Sequence, residues 1–401
     1  MTPTASLAGY PSAVSLASGP RVALFWMRLG PYHVARAKAL RGALIDQGGD
    51  LALCEVSNQD HYAWSTHSQS REDWIQTLFQ GLDYASLHAA KIGAAVDRFL
   101  SDLRPDVVAV NGWSAPEARA ALNWARSNRA TTIVMSETKA DDGKRLYLKE
   151  LAKRWVLRGV GGGLVGGQAQ REYLATLGVP KERTFLGYNA VDNGYFSEQS
   201  TKLRAQSDAL TEPSVPYFFA SARFLARKNL DGLLRAYADY RAHAPQPWGL
   251  VIAGSGEEEG NLKRLCSDLD LDSVVQWPGF LQYDELPRWY AGAGAFIHPA
   301  KAEAWGLVAN EAAACSLPLL IANPVGARYE LLEEGVNGFA FDPHSDAQIM
   351  AAMLRVSAMN VQQRAELGTA AKERVDQYGP ARFAQGMLSA IDAAQTSRSS
   401  A

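Results

Sequence analysis

Four side chains in the second half of this sequence have types and spacing suited to a charged, hydroxyl-rich ligand: Arg223, Lys228, Glu303 and Glu311. Arg223 and Lys228 lie in ARFLARKNLDGLL, just after the strand-like run Pro216–Ser221 and just before a helical pattern. Two fixed cations beside a helix N-terminus make a site for a diphosphate. Glu303 falls in a loop between the strand at 295–298 and a helix whose pattern begins near Trp305. A carboxylate at that loop tip can accept hydrogen bonds from the hydroxyls of a sugar ring. The first amides of the helix, including those of Gly306 and Leu307, lack intrahelical partners. Gly306 has no side chain to obstruct a phosphate. Glu311, about two turns in, can accept from both hydroxyls of a ribose. Taken singly, each of these residues also fits a solvated loop or a helix cap. Their common position at strand ends of one half gives the set its weight.

Bringing strand ends together requires an α/β frame. From Arg21 onward, short apolar runs alternate with helical patterns: strands at 21–26, 51–56, 106–110 and 131–136, helices at 32–46, 87–103, 116–127 and 144–158. The rhythm restarts at Pro216 and includes WGLVIA, VVQW, AFIH and PLLIA as strands. Such alternation predicts parallel sheets covered on both faces. The expected layout is a tail at 1–20, a first domain at 21–195, a polar linker at 196–215, a second domain at 216–378 and a closing helix and tail at 379–401. Two doubly wound, Rossmann-like domains then face a central cleft. A dinucleotide fingerprint is missing from the first turn (Met27–His33) and imperfect after Ala253, where the third glycine of Gly254-Ser255-Gly256 comes one residue late.

Composition narrows the classes. The 401 residues carry 40 Lys+Arg against 42 Asp+Glu, a formal net charge of −2, which argues against nucleic acid as a partner. Three isolated cysteines, Cys54, Cys266 and Cys315, give neither a disulfide framework nor a zinc site. No apolar run is long enough to span a bilayer, and residues 1–20 lack the basic start of a signal peptide. A cytoplasmic location is expected. The basic, apolar segment 144–158 (KRLYLKELAKRWVLR) offers a peripheral contact with the inner face of the membrane, or else an ordinary surface helix.

The stretches SARFLARKNLDGLLRAY, LVIAGSGEEEGNL, VVQWPGFLQYDELPRWYAGAGAFIHPA, EAWGLVANEAAACSLPLLIA and VGARYELLEEGVNGFAFDP resemble, in order, the bacterial type of glycosyltransferase family 4, retaining enzymes of GT-B fold. The resemblance implies that Arg223 and Lys228 neutralise the donor diphosphate, that Glu303 touches the donor sugar, and that Gly306 and Leu307 supply backbone donors. It implies Glu311 as the ribose ligand, with Gly30, Gly254 and Phe280 completing the donor side. By their positions at a helix start and at strand ends of the first half, His33 and Asn111 are expected at the reacting centre, and His33, Trp113 and Glu137 on the acceptor side. The resemblance implies no metal and no cofactor, and a last helix that crosses back to the first domain. The expected activity is front-face, retaining transfer of a hexosyl group from a nucleotide-sugar, UDP by default, to a hydroxyl of a glycan, a lipid-linked or a small-molecule acceptor. The departures are Ala222, Asn229, Ser316 and Ala327 at usual glycine positions, and Asn111 where the strand commonly ends near a histidine. Asn111 can bond a sugar hydroxyl but cannot shuttle a proton. A non-catalytic nucleotide-sugar binder and a GT-B sugar-nucleotide epimerase are the alternatives.

Overall fold

Strands that read as unbroken apolar runs must be covered on both faces, and their arrangement decides which loops meet. A computed structural model describes residues 19–59, 72–143, 145–206 and 216–399. The first sheet has seven parallel strands, β1 (Arg21–Trp26), β2 (Asp50–Gln59), β3 (Ile75–Asp83), β4 (Val107–Asn111), β5 (Thr131–Ser136), β6 (Gly162–Val165) and β7 (Thr184–Leu186). They lie in the order β3-β2-β1-β4-β5-β6-β7. Helices α1 (Pro31–Ile45), α2 (Ala89–Leu103), α3 (Pro116–Asn128), α4 (Tyr147–Leu157) and α5 (Gln168–Thr176) connect them.

The second sheet has six parallel strands, β8 (Tyr217–Ser221), β9 (Gly249–Ala253), β10 (Val275–Gly279), β11 (Ala295–His298), β12 (Leu319–Ala322) and β13 (Gly338–Phe341), ordered β10-β9-β8-β11-β12-β13. Its helices are α6 (Asn193–Ala205), α7 (Leu230–His243), α8 (Glu259–Asp268), α9 (Leu286–Gly292), α10 (Leu307–Ala314), α11 (Gly326–Leu331), α12 (Asp346–Ser357) and α13 (Val361–Val375). The long α14 (Pro380–Ser399) closes the chain.

Strand order reverses between β1 and β4 in one sheet and between β8 and β11 in the other. Ligands of open α/β sheets bind at such reversals, outside the carboxyl ends of the strands. Gly30 and the first turn of α1 with His33 follow β1, Asn111 ends β4, and the segments that leave β8 and β11 carry Arg223 and Lys228, and Glu303, respectively. Alternation along β1 buries Ala23 and Phe25 on one face and Val22, Leu24 and Trp26 on the other. The second face is completed by Phe383, Met387, Ala390 and Ile391 of α14, so the last helix packs on the first sheet, beside α1. The glycine run before α5 serves this packing: a Cβ on Gly162 would meet the Ala390 carbonyl oxygen at 3.1 Å.

Two readings of the sequence change here. Much of the segment expected as a linker is helical: α6 starts at an Asp192 cap, whose Oδ1 accepts from Tyr195 N at 3.0 Å, and Phe196 roots it in the second core. Its polar outer face hid its period. Strands β3, β7 and β13 were not read; β3 is a half-exposed edge and β7 is only three residues long. The tail at 1–18 and Lys144 lie outside the described residues.

Candidate active site

The loop after β8 is shaped by backbone before any side chain acts. Phe224 N donates to Ser255 O at 2.8 Å and Glu258 N to Phe224 O at 3.0 Å, so the glycine loop after β9 lies flat against it. Gly254, at φ +137°, approaches so closely that a Cβ would stand 1.8 Å from the Ala222 carbonyl oxygen. This glycine is required by loop against loop, and its own N–H donates to Gly279 O at 2.8 Å. Phe280 follows β10 directly, half-buried on the same edge. Asn229 takes the left-handed conformation, φ 57°, that starts α7, and its Nδ2 donates to Pro343 O. A glycine is therefore unnecessary there.

Lys228 is buried and its Nζ contacts Glu303 Oε2. Arg227 lies 3.5 Å from the same oxygen, while Arg223 is exposed at the loop mouth. Burial, with the guanidinium charges of Arg227 and Arg223, pulls the Lys228 ammonium down to about 7, while the carboxylate it touches favours the charged form. His298, at the end of β11, places Nε2 3.7 Å from Glu303 Oε2, and this nitrogen has no hydrogen-bond partner. Burial and the Lys228 and Arg227 charges hold it neutral. Gly306 caps α10 at φ +97°, with Leu307 as the first helical residue. The structure thus joins Lys228, Glu303, His298 and the start of α10 in one place.

Glu311 is fully buried one turn further along α10. Its Oε1 accepts from Tyr32 Oη at 2.7 Å and its Oε2 from Tyr290 Oη at 2.9 Å. Tyr32 belongs to α1, so this carboxylate also bridges the two domains. Burial pushes Glu311 up to about 7, against the pull of its two tyrosine donors. The folded protein keeps a proton that the unfolded chain releases near 4.5, so stability falls as pH rises through this window. Thermal unfolding of the wild type is expected to weaken by at most about 3 kcal/mol between about pH 5 and pH 7, and Glu311→Gln to lose that component. A wild-type and variant pair with parallel pH profiles would contradict the assignment.

On the first domain, His33 rests on Trp26, with ring centroids 4.8 Å apart, and its Nδ1 accepts from Gly30 N at 3.0 Å. Burial, then Arg36, pulls His33 down to about 3. It is a neutral hydrogen-bonding group, with Nε2 left to donate, and not a proton shuttle. Gly30 N–H is taken up by His33, so the loop and the imidazole are held together before any ligand is present. Asn111 Oδ1 accepts from Tyr188 Oη at 3.0 Å, and Tyr188 Oη accepts from Trp26 Nε1 at 3.2 Å. This relay links Asn111 to the ring beneath His33. Trp113 is corrected, since it is buried among Val110, Ala118 and Leu122 in the core and lines no acceptor surface. Glu137 follows β5; burial raises it and the buried Arg36 lowers it. Arg36 Nε donates to Ala190 O at 2.7 Å, while its Nη2 finds no acceptor.

Sequence reasoning passed over Tyr32, Arg36, Tyr188, Tyr290 and His298. Tyr32 and Arg36 share an α1 face with His33 at helical spacing, the one signal that was available. Asp141 and Asp142 hold the buried Lys139 at 2.8 and 3.2 Å. Among the described residues no group of three or more His, Cys, Asp or Glu is placed to hold a metal.

Two reversals facing each other, with loops carrying cations on one side and polar groups on the other, match solved structures over nearly the whole chain. The fold is GT-B. Anabaena Alr3699/HepE, solved with UDP-glucose, superposes on this GT-B chain with TM-score 0.69 at 16% identity, covering 93% of this chain and 99% of that one. Sucrose-phosphate synthase from Thermosynechococcus elongatus gives TM-score 0.69 at 17% identity, covering 94% and 98%. Residues 203–374, most of the second GT-B domain, match the family Glycosyl transferases group 1. A D-inositol 3-phosphate glycosyltransferase of Pseudarthrobacter chlorophenolicus is 28% identical over 226 residues, 56% of this chain and 53% of that protein. Sucrose synthase 2 of Pisum sativum is 32% identical over 156 residues, 35% of this chain and 19% of that protein. The match spans about half of the first relative's length and about a fifth of the second's.

Proposed function

We propose that this chain is a retaining glycosyltransferase of family 4 type that moves a hexosyl group from a nucleotide-sugar, UDP-linked by default, to an acceptor hydroxyl of a glycan, lipid-linked or small-molecule acceptor. The observation that carries the reading is the contact of Lys228 with Glu303 at the opening of α10. A diphosphate set on Arg223, Lys228 and the α10 amides would release Glu303 from Lys228 and leave its carboxylate for the sugar hydroxyls. Glu311 would exchange Tyr32 for the ribose. The cations and the helix start then stabilise charge on the departing phosphate, which takes the proton of the incoming hydroxyl on the same face. In this reading no metal and no cofactor take part. Glu137, with Arg36 behind it, and the Nε2 side of His33 orient the acceptor. The three buried, unpaired thiols suit work at the cytoplasmic side.

The test is transfer or hydrolysis from a panel of UDP-, GDP- and ADP-sugars. One donor turned over with retained anomeric configuration is expected. Binding without turnover would favour a non-catalytic binder, the reading that Asn111 supports, and release of an epimerised nucleotide-sugar would favour an epimerase. A second expectation concerns the competing tyrosine. Tyr32→Phe removes one donor from Glu311, so nucleoside diphosphate should bind about 3–10-fold more tightly, the worth of one net hydrogen bond. Unchanged or weaker binding by calorimetry would count against a ribose at Glu311.

A further inference from the structure

We infer that α4, with the residue leading into it, is a docking ridge for an anionic lipid surface. Half of the exposed large hydrophobic side chains among the described residues sit on this one segment: Leu146, Tyr147, Leu148, Leu151 and Trp155. Tyr147, Leu148 and Trp155 are 77%, 78% and 71% exposed. At about 100° per residue, Tyr147, Leu151, Trp155 and Leu148 fall within one sector about 100° wide. The opposite side carries Val156 and Leu157, which pack on the first domain's core. The ridge is therefore the outward face of a helix already seated.

The charges around the ridge name its partner. Arg154 flanks it on one side and Arg158 stands at its carboxyl end, both exposed, with no ion pair among the described residues. The one acid of the helix, Glu150, is turned to the inner side, where Lys153 donates to it at 2.7 Å and Tyr173 Oη at 2.7 Å. What faces out is apolar surface, two interface-seeking rings and charge of one sign, the pattern of a helix lying in a headgroup layer. A second copy fits less well, because a two-fold contact would bring the positive charges of Arg154 and Arg158 from both copies together with no acid on the ridge to pair them. In open α/β sheets the loop after a strand emerges on the ligand side, so the start of α4, ten residues after Glu137, lies toward the cleft. Docking there would present the cleft to an acceptor held in the same surface. The docking claim itself does not depend on the transferase reading.

Vesicle flotation of the full chain tests it. The protein should float with vesicles of equimolar phosphatidylcholine and phosphatidylglycerol, and not with phosphatidylcholine alone. Leu148→Ser combined with Trp155→Ser should lower the floated fraction at least about tenfold. Arg154→Glu combined with Arg158→Glu should abolish the anionic preference, and added salt should mimic that loss. Both double variants alter exposed positions, so an unchanged thermal midpoint is expected and shows that they fold. Equal flotation with both vesicle types, no flotation, or flotation that neither variant reduces would overturn the inference. Self-association of the wild type that Trp155→Ser abolishes would also overturn it and assign the ridge to a second copy.

Discussion

Replacing Lys228 with alanine should lower turnover by about 10²–10³-fold, the usual loss when one charge-stabilising donor is removed from a reacting centre. Two features make this side chain hard to replace. It is the buried cation of the loop, in contact with Glu303, whereas Arg223 and Arg227 stand at the solvent edge. Arg227 lies 3.5 Å from the same carboxylate, so the variant keeps a partner for Glu303 and should stay folded. The same neighbour cannot take over the buried position, because its Nη1 is held by Ala302 O at 3.1 Å. Lys228→Arg should also be slow, since a wide guanidinium does not fit a slot made for an ammonium. The measurement is kcat with the best donor, beside the thermal midpoint. Unchanged turnover would remove Lys228 from the reaction.

Gly254→Ala is expected to cost about 3–5 kcal/mol of stability, or to abolish donor binding if the loop shifts to relieve the clash. The added Cβ would stand 1.8 Å from backbone oxygen of Ala222, at a φ of +137° that side chains rarely adopt. Neither strand end can retreat, because Ala222 N donates to Ala253 O at 3.0 Å and Phe224 N to Ser255 O at 2.8 Å. The loop bearing Arg223 and the loop bearing Gly254 are one object. Gly260→Ala supplies the control: its Cβ would meet nothing within 4 Å in α8, so the change should be neutral or slightly stabilising. A Gly254→Ala protein that melts with wild type and binds nucleotide normally would refute this account of the loop.

The frame was legible because buried parallel strands read as short apolar runs and helices such as α2 and α3 carry a clear period. Strands β1, β4, β5 and β8 were visible for that reason, and so was the placement of Arg223, Lys228 and Glu303 at strand ends. What the sequence hid was pairing across distance. Lys228 and Glu303 are 75 residues apart and Tyr32 and Glu311 are 279, so no local pattern relates either pair. Trp113 misled because a large ring beside a strand end suits a pocket wall and a core equally, and only the packing of α3 decides. The bond from Gly30 N to His33 Nδ1 was not legible either, because it depends on which nitrogen the ring turns toward the loop. The glycine at 254 was noticed for a phosphate motif, while its conformation answers to a neighbouring carbonyl.

The last helix has a consequence for how the molecule comes into being. Phe383, Met387, Ala390, Ile391 and Ala394 lie in the core against β5, β6 and β7, beside α1, yet they are made after the entire second domain. A ribosome that has finished β7 has released only part of what the amino-terminal half needs. That half must wait, with α1 covering one end of this sheet face and the β5–β7 end still bare, until α14 has been made. Removing the end of the chain should therefore unfold its beginning.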